Sequence, residues 1–404
     1  MRKLTIIFLL LVFHIPASSF AQQEIATIAA KIITEDSIKT GAQRTESYFP
    51  LLKGKNVAVV ANHTAMIGKT HLVDSLVNAG ISVKKIFCPE HGFRGTADAG
   101  ETIISTIDSK TGIPIVSLFG KHLKPKAADL KGIDIVVYDI QDVGVRFYTY
   151  ISTMTYVMEA CAENNIEFLV LDRPNPNGYY VDGPVLKKEY SSFVGLHSVP
   201  IVYGMTIAEY AGMVNEEGWL KSGVKCELKT VTVNNYNHTY YYILPVAPSP
   251  NLPNMNAVYL YPSLGLFEGT VISVGRGTDL PFQVIGHPDI KNGNYTFTPV
   301  SKAGATNPPF LGVECYGFKL DDFADIYIKN LRHIYLFWLA EVYKDFPDKA
   351  TFFNTYFDKL AGTSVLRFQI IARLSEDEIR NSWQKDIEKF KIIRKKYLLY
   401  PDFE

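Results

Sequence analysis

The chain has 404 residues, of which 47% are hydrophobic and 13% aromatic, and it contains 41 basic and 41 acidic residues. This balance provides no bulk attraction to nucleic acid or to an anionic membrane surface, so neither is expected as a partner. A chain of this length and hydrophobicity can bury a large core and is expected to form about two domains.

The amino terminus has the features of a secretory signal peptide. Two basic residues precede an apolar stretch at 4–13, and residues 19–21 offer a small-residue cleavage site. The apolar stretch is far shorter than the roughly 20 residues that span a bilayer, so no membrane anchor is expected. We expect residues 1–21 to be removed and the protein to be exported, periplasmic or secreted, with 22–47 as an N-terminal lead-in.

From residue 56 onward, short β-branched apolar runs alternate with helical patterns, which predicts a parallel sheet covered by helices. Apolar residues at three- and four-residue spacing predict helices between the first two strands, after residue 151 and at 206–217. The predicted strands are 56–61, 83–88, 114–118, 134–138, 167–171 and 226–232.

The pattern changes after residue 244. Proline-punctuated segments at 245–253 are followed by predicted strands around 270–274 and by a helical carboxyl end. Ser375 and Glu378 fit a capping box, and an apolar stripe follows on the same helix. We therefore expect a smaller α/β domain packed against the first. The residues of the stripe are Ile379, Trp383, Ile387 and Phe390.

The four cysteines are widely separated and form no C-x-x-C pair, so the spacing indicates neither a structural zinc site nor a redox motif. Export would permit disulfides. We nevertheless expect mostly buried free thiols, because a core of this size needs no covalent staples. The cysteines are Cys88, Cys161, Cys226 and Cys315.

Polar residues follow most of the predicted strands. In an open parallel sheet the ligand crevice lies beyond the carboxyl ends of the strands, so these residues are the site candidates. Isolated acidic loop residues are usually solvated or capping, but loops at the opposite end of the sheet carry little of this chemistry. The candidates are Asn62, His63, Glu90, His91, Arg94, Asp139, Asp142, Arg146, Asp172 and Arg173.

Other classes of site receive less support. Glu90, His91, His63 and Asp139 could hold a metal, but H-x-x-x-H and H-E-x-x-H spacings are absent. Neither G-x-G-x-x-G nor a phosphate-loop lysine follows the first strand, and no serine occupies a G-x-S-x-G elbow. The glycine-rich segment around Arg276 is either an anion clamp or a turn with a structural arginine. We expect no metal and no cofactor.

Several segments together resemble the exo-β-N-acetylmuramidases, a glycoside hydrolase family formerly known as a domain of unknown function. The resemblance extends over residues 48–403, essentially the whole mature chain. Its motifs are Pro89-Glu90-His91-Gly92-Phe93-Arg94-Gly95, Tyr138-Asp139-Ile140-Gln141-Asp142-Val143-Gly144, Asp172-Arg173-Pro174-Asn175-Pro176, Glu268-Gly269-Thr270, Gly275-Arg276-Gly277-Thr278 and Tyr397-Leu398-Leu399-Tyr400-Pro401.

The resemblance implies a Rossmann-like catalytic domain over 48–243, a smaller α/β domain over 244–404 and an active-site cleft between them. It also implies release of terminal N-acetylmuramic acid from peptidoglycan fragments, with no nucleotide and no obligatory metal. Glycosidic cleavage needs a proton donor and usually a second carboxylate. Glu90 matches the glutamate expected to be catalytic. The second role is open among Asp139, Asp142 and Glu268.

Muramic acid carries a lactyl carboxylate, which a bidentate arginine recognises well. Aromatic side chains near the rim, Phe93, Tyr148 and Tyr150, are candidates for packing on sugar faces, although a core role is the commoner one. Two other functions stay open on the same rim, a metal-dependent hydrolase of another type and a non-catalytic muropeptide-binding protein. No protein partner is predicted. The candidate carboxylate ligands are Arg94, Arg146, Arg173 and Arg276.

Overall fold

A computed structural model of the protein describes residues 38–90, 92–93 and 106–404. The expected signal peptide and most of the lead-in lie outside the described residues, as do the site candidates His91 and Arg94. Within the described part, a large, mostly parallel sheet covered by helices precedes a smaller region with its own antiparallel sheet. The predicted α/β fold class is therefore confirmed.

The first half is built on a seven-stranded sheet and a small two-stranded hairpin. All six strands predicted for this half are present, with bounds within two residues. The strands are β1 (Asn56–Ala61), β2 (Met66–Ile67), β3 (Thr70–His71), β4 (Ser82–Cys88), β5 (Thr106–Ile107), β6 (Pro114–Ser117), β7 (Ile135–Asp139), β8 (Glu167–Leu171) and β9 (Leu228–Val231). Strands β2 and β3 form the hairpin, and the large sheet has the order β5-β6-β4-β1-β7-β8-β9, in which only the edge strand β5 is antiparallel to its neighbour.

Helices cover both faces of this sheet, which is why the central strand β7 is buried at every position. The last of these helices begins at a capping box, in which Thr206 Oγ1 accepts a hydrogen bond from the backbone N–H of Glu209 and the Glu209 carboxylate accepts one from that of Thr206. The helices of this half are α1 (Thr45–Leu52), α2 (Leu72–Asn78), α3 (Ala127–Leu130), α4 (Tyr150–Glu163) and α5 (Ile207–Glu216).

The second half combines a three-stranded antiparallel sheet with short helices. Its strands, in the order β10-β12-β11, are β10 (Val284–His287), β11 (Tyr295–Phe297) and β12 (Cys315–Lys319). A π-helical turn, Ala324–Ile328, joins the seventh and eighth helices. The helices are α6 (Met255–Leu264), α7 (Asp321–Phe323), α8 (Lys329–Leu331), α9 (Phe337–Asp345), α10 (Phe357–Ala361), α11 (Val365–Ile371) and α12 (Glu376–Arg394).

Helix α12 begins at the predicted capping box. Ser375 Oγ accepts from the backbone N–H of Glu378, whose carboxylate accepts from that of Ser375 at 2.9 Å. All four residues of the predicted apolar stripe are buried. The helix is also fixed to the first half by Asp182, which accepts a hydrogen bond from Trp383 Nε1 at 3.0 Å and forms an ion pair with Arg380.

The strand predicted around 270–274 does not form. Thr270 makes an isolated bridge to Phe353 and Ser273 another to Gly286, so neighbouring residues pair with different parts of the chain and no ladder develops. Thr270 Oγ1 donates instead to the carbonyl of Phe267 at 2.7 Å, which closes a local turn.

All four cysteines are buried free thiols, as predicted. Among the described residues, no helix has the combination of length and apolar character that crossing a membrane requires.

Candidate active site

A cavity of about 210 Å³ lies between the two halves of the chain. Glu90, which follows β4, lines it from the first half, and Glu268 and Arg276 line it from the second. The structure thus brings three sequence-predicted site residues into one space. The remaining wall is largely aromatic, and its residues are Phe147, Tyr148, Thr149, Tyr150, Val194, Ser249, Asn251, Leu252, Tyr261, Phe282 and Tyr356.

Arg276 holds the Glu268 carboxylate in a fixed orientation. Its Nε and Nη2 both donate to Oε1 of Glu268, at 2.9 and 2.7 Å. The guanidinium also lies 5.1 Å from the centroid of the Phe282 ring. Burial opposes the charge of Arg276, but the Glu268 carboxylate outweighs that effect, so the pKa of Arg276 lies above its ordinary value. The third nitrogen, Nη1, is buried and has no hydrogen-bond partner within the described part of the chain.

Glycines allow the turn that carries Glu268 to pack tightly. Glu268 lies in a 3₁₀ turn, Gly265–Gly269. A Cβ on Gly265 would lie 2.3 Å from the Phe147 ring, and one on Gly269 would lie 2.3 Å from the Cα of Phe357. Any larger residue would therefore push Glu268 away from the aromatic wall.

Two phenols lie within the electrostatic reach of both glutamates. Burial first, then the charges of Glu268 and Glu90, raise the pKa of Tyr356 to about 12. Burial and the same two carboxylates also raise the pKa of Tyr261, while Arg276 acts in the opposite direction. Both hydroxyl groups therefore keep their protons at neutral pH and are hydrogen-bond donors at the cavity.

Asn62 contacts the cavity indirectly. Its Nδ2 donates to the hydroxyl of the cavity residue Tyr150 at 3.0 Å, while its Oδ1 accepts from the backbone N–H of Thr64 at 2.9 Å. Burial, with a further contribution from Glu90, raises the pKa of Tyr150. Asn62 therefore positions a wall residue and does not itself line the cavity.

Asp139, one candidate for the second carboxylate, does not line the cavity. It forms a buried ion pair with Arg173, whose Nε and Nη2 donate to its two carboxylate oxygens at 2.6 and 2.9 Å. The two side chains are 0% and 4% exposed, and neither residue is among those that line the cavity. The pair stabilises the carboxyl end of β7.

Asp142 also faces the protein interior. It accepts hydrogen bonds from the Tyr203 hydroxyl and, at 2.7 Å, from the backbone N–H of Gly144. Burial raises the pKa of Asp142 to about 6, although both hydrogen bonds act to lower it. The turn it organises docks against Asn175, because a Cβ on Gly144 would lie 2.2 Å from that side chain.

Arg146 is fully buried and binds backbone carbonyl groups. Nη1 donates to Pro184 and Val199 at 2.8 and 2.7 Å, and Nη2 donates to Leu360 at 2.8 Å. Burial lowers the pKa of Arg146 to about 9. This arginine joins three segments of the chain and does not reach the cavity.

Asp172 binds the carboxyl-terminal motif. It accepts from the Tyr400 hydroxyl at 2.5 Å and from the backbone N–H of Ala208 at 3.0 Å. Burial raises the pKa of Asp172 to about 7, against the lowering effect of the Tyr400 hydrogen bond. The matching motifs around Asp172 and Tyr400 therefore stabilise the fold.

His63 and Phe93 also lie outside the cavity wall. His63 Nε2 is 2.8 Å from the carbonyl oxygen of Ala247, and Phe93 is buried against the His71 ring in an edge-to-face contact. Among the described residues, His, Cys, Asp and Glu side chains nowhere form a group of three or more that could hold a metal ion.

Reasoning from the sheet alone missed the wall contributed by the second half. Ser249, Asn251, Tyr261, Phe282 and Tyr356 follow no strand of the parallel sheet, so the rule about strand ends did not select them. The one sequence signal near them was the proline-punctuated stretch at 245–253, which indicates ordered loops but no particular chemistry.

Two carboxyl groups facing an aromatic-walled cavity are typical of a glycoside hydrolase, which cleaves with paired carboxyl groups and packs sugar rings on aromatic side chains. The chain belongs to the exo-β-N-acetylmuramidase family, because the models for the N-terminal and C-terminal parts of exo-β-N-acetylmuramidase NamZ match residues 57–256 and 259–400. It is 38% identical over 434 aligned residues to the peptidoglycan β-N-acetylmuramidase NamZ of Bacillus subtilis (strain 168), covering 99% of this chain and 100% of that protein.

Two crystal structures of DUF1343 family proteins from Bacteroides fragilis NCTC 9343 have the same fold. One superimposes with a TM-score of 0.85 at 50% sequence identity and the other with a TM-score of 0.76 at 31% identity. Each alignment covers 90% of this chain and 99% of the other.

Proposed function

We propose that this protein is an exported hydrolase that releases terminal N-acetylmuramic acid from peptidoglycan fragments, with Glu90 as the proton donor. The observation that carries the proposal is the presence of Glu90, Glu268 and Arg276 in one aromatic-walled cavity, in a chain that belongs to the exo-β-N-acetylmuramidase family. Residues 1–21, with their signal-peptide pattern, support export to the compartment that contains the cell wall.

In the proposed reaction, Glu90 protonates the glycosidic oxygen as its bond to the anomeric carbon breaks. Water supplies the hydroxyl group that the released muramic acid carries. Glu268 is the second carboxylate, because Asp139 and Asp142 are bound elsewhere. Arg276 occupies Oε1 of Glu268 and leaves Oε2 for the reacting sugar or water. Tyr261 and Tyr356 provide hydroxyl donors beside the two carboxylates.

The proposed recognition of muramic acid depends on Arg276. Two of the four candidate arginines are committed to other groups, Arg146 to backbone carbonyls and Arg173 to Asp139, and Arg94 lies outside the described residues. Arg276 lines the cavity, and its buried Nη1 has no acceptor among the described residues. A lactyl carboxylate at that nitrogen would supply the acceptor.

The test is digestion of a defined disaccharide with N-acetylmuramic acid at the non-reducing end, followed by product analysis, with and without a chelator. We expect free N-acetylmuramic acid and N-acetylglucosamine in equal amounts and at the same rate under both conditions. Loss of activity with the chelator would favour the metal-dependent alternative. Binding of the disaccharide without turnover across a broad pH range would favour a non-catalytic binding protein. Sequencing of the secreted product should place Gln22 at the mature amino terminus.

A further inference from the structure

A second cavity, of about 470 Å³, adjoins the first. Two chain segments line both. Residues 189–191 line the second cavity while Val194 lines the first, and Asn354 lines the second while Tyr356 lines the first. The residues of these two loops therefore form a wall that the two cavities share.

Hydrogen bonds connect this wall to the turn that carries Glu268. The backbone N–H of Asn354 donates to the carbonyl of Gly269 at 3.0 Å, and its Nδ2 lies 3.4 Å from the carbonyl oxygen of Glu268. The contact of Gly269 with Phe357 closes the same junction. The second cavity is therefore next to the turn that carries Glu268.

The second cavity offers a positive charge. Of its three cations, Lys349 donates to the carbonyls at the end of α9, and Arg367 donates to both oxygens of Asp358 at 2.9 and 2.8 Å. The ammonium group of Lys359 has no such acceptor within the described part of the chain. Glu189, an exposed carboxylate, is the one negative group of the lining without a cationic partner among the described residues.

We infer that the second cavity binds a carboxylated sugar further along the glycan strand, namely the next muramic acid after the one released. The inference rests on the proposed function. Peptidoglycan strands alternate two sugars, so in a peptide-free strand a lactyl carboxylate recurs on every second one. Lys359 and the remaining donors of Arg367 would donate hydrogen bonds to that carboxylate. The Tyr190 and Phe353 rings would pack against the sugar.

Binding in the second cavity would make kcat/KM depend on the length of the substrate. Energy from contacts remote from the cleaved bond raises kcat/KM only for substrates long enough to make them. A peptide-free tetrasaccharide with two muramic acids should therefore be cleaved with a kcat/KM roughly fivefold or more above that of the disaccharide. A chromogenic N-acetylmuramide, which occupies the first cavity alone, should be indifferent to changes in the second.

The experiment measures kcat/KM on the tetrasaccharide, the disaccharide and the chromogenic muramide. Lys359→Ala should lower the tetrasaccharide value about threefold, the scale of one exposed charge pair, and leave the other two unchanged. Glu189→Gln should raise the tetrasaccharide value, because it removes a like charge. Lys385→Ala, at an exposed position of α12, is the matched control and should change nothing.

Equal kcat/KM for tetrasaccharide and disaccharide in the unaltered enzyme would overturn the inference. An unchanged tetrasaccharide kcat/KM in Lys359→Ala, or an equal loss of kcat/KM on tetrasaccharide and disaccharide, would also overturn it. An unchanged or lower tetrasaccharide kcat/KM in Glu189→Gln would do the same. Failure of the proposed function is distinguishable, since the chromogenic muramide would then not be hydrolysed by any of these proteins.

Discussion

Nε and Nη2 of Arg276 donate to the same carboxylate oxygen of Glu268, at 2.9 and 2.7 Å, and both residues line the cavity that contains Glu90. Its position at the cavity distinguishes Glu268 from the other candidates for the second carboxylate. Asp139 and Asp142 bind Arg173 and Tyr203 inside the protein. In the proposed reaction Arg276 has two roles. It orients Glu268, and its Nη1 donates to the substrate.

The first prediction concerns selectivity. The unaltered enzyme should prefer a chromogenic N-acetylmuramide over the matching N-acetylglucosaminide by at least about tenfold, because the second sugar leaves the arginine donor unpaired. Arg276→Gln should erase most of this preference. Arg373→Gln, at an exposed position, is the control and should retain it. Equal rates on the two sugars in the unaltered enzyme would refute recognition through the carboxylate.

The second prediction separates structure from catalysis at Asp139. Asp139→Asn leaves the buried guanidinium of Arg173 without its counter-charge, which costs about 3–5 kcal/mol of unfolding free energy. Urea denaturation measures this loss. Turnover per folded molecule should stay within a few-fold of normal, because the side chain does not line the cavity. Normal stability combined with abolished turnover would instead make Asp139 the catalytic partner.

The third prediction concerns pH. The folded-state pKa of Asp172 is raised from 3.8 to about 7, so the folded protein keeps a proton that the unfolded chain releases. This residue's contribution to stability is complete below about pH 4 and is lost as the pH rises toward 7. Asp172→Asn mimics the protonated form, so its stability relative to the unaltered protein should increase over that interval. Parallel pH profiles of unfolding free energy for the two proteins would contradict the assignment.

The parallel sheet was predictable because its strands are encoded locally by short apolar, β-branched runs, most clearly in β1, β7 and β8, which are almost fully buried. The strand-end rule selected a residue that lines the cavity in the case of Glu90, which follows β4. Asp142 and Asp172 follow strands too, yet they bind Tyr203 and Tyr400, which lie 61 and 228 residues away. Local sequence patterns do not predict partners that lie so far away in the chain.

In the second half of the chain, too, the cavity depends on contacts between distant segments that the sequence does not reveal. Tyr356 reaches the cavity because Asn354 binds the Gly269 carbonyl and Phe357 packs against Gly269, contacts between segments more than 80 residues apart. Glu268 and Arg276 were found through the family resemblance and the glycine-rich motif. The aromatic wall around them required the folded structure.

In the proposed reaction Glu90 donates the proton that breaks the glycosidic bond, and the substitution Glu90→Gln removes that proton donor. Glu90→Gln keeps the size of the side chain and removes the acid, so turnover of the muramic disaccharide should fall by about 10²-fold or more. Circular dichroism and the thermal midpoint should stay close to those of the unaltered protein. Near-normal release of N-acetylmuramic acid by a folded Glu90→Gln protein would show that Glu90 is not the proton donor.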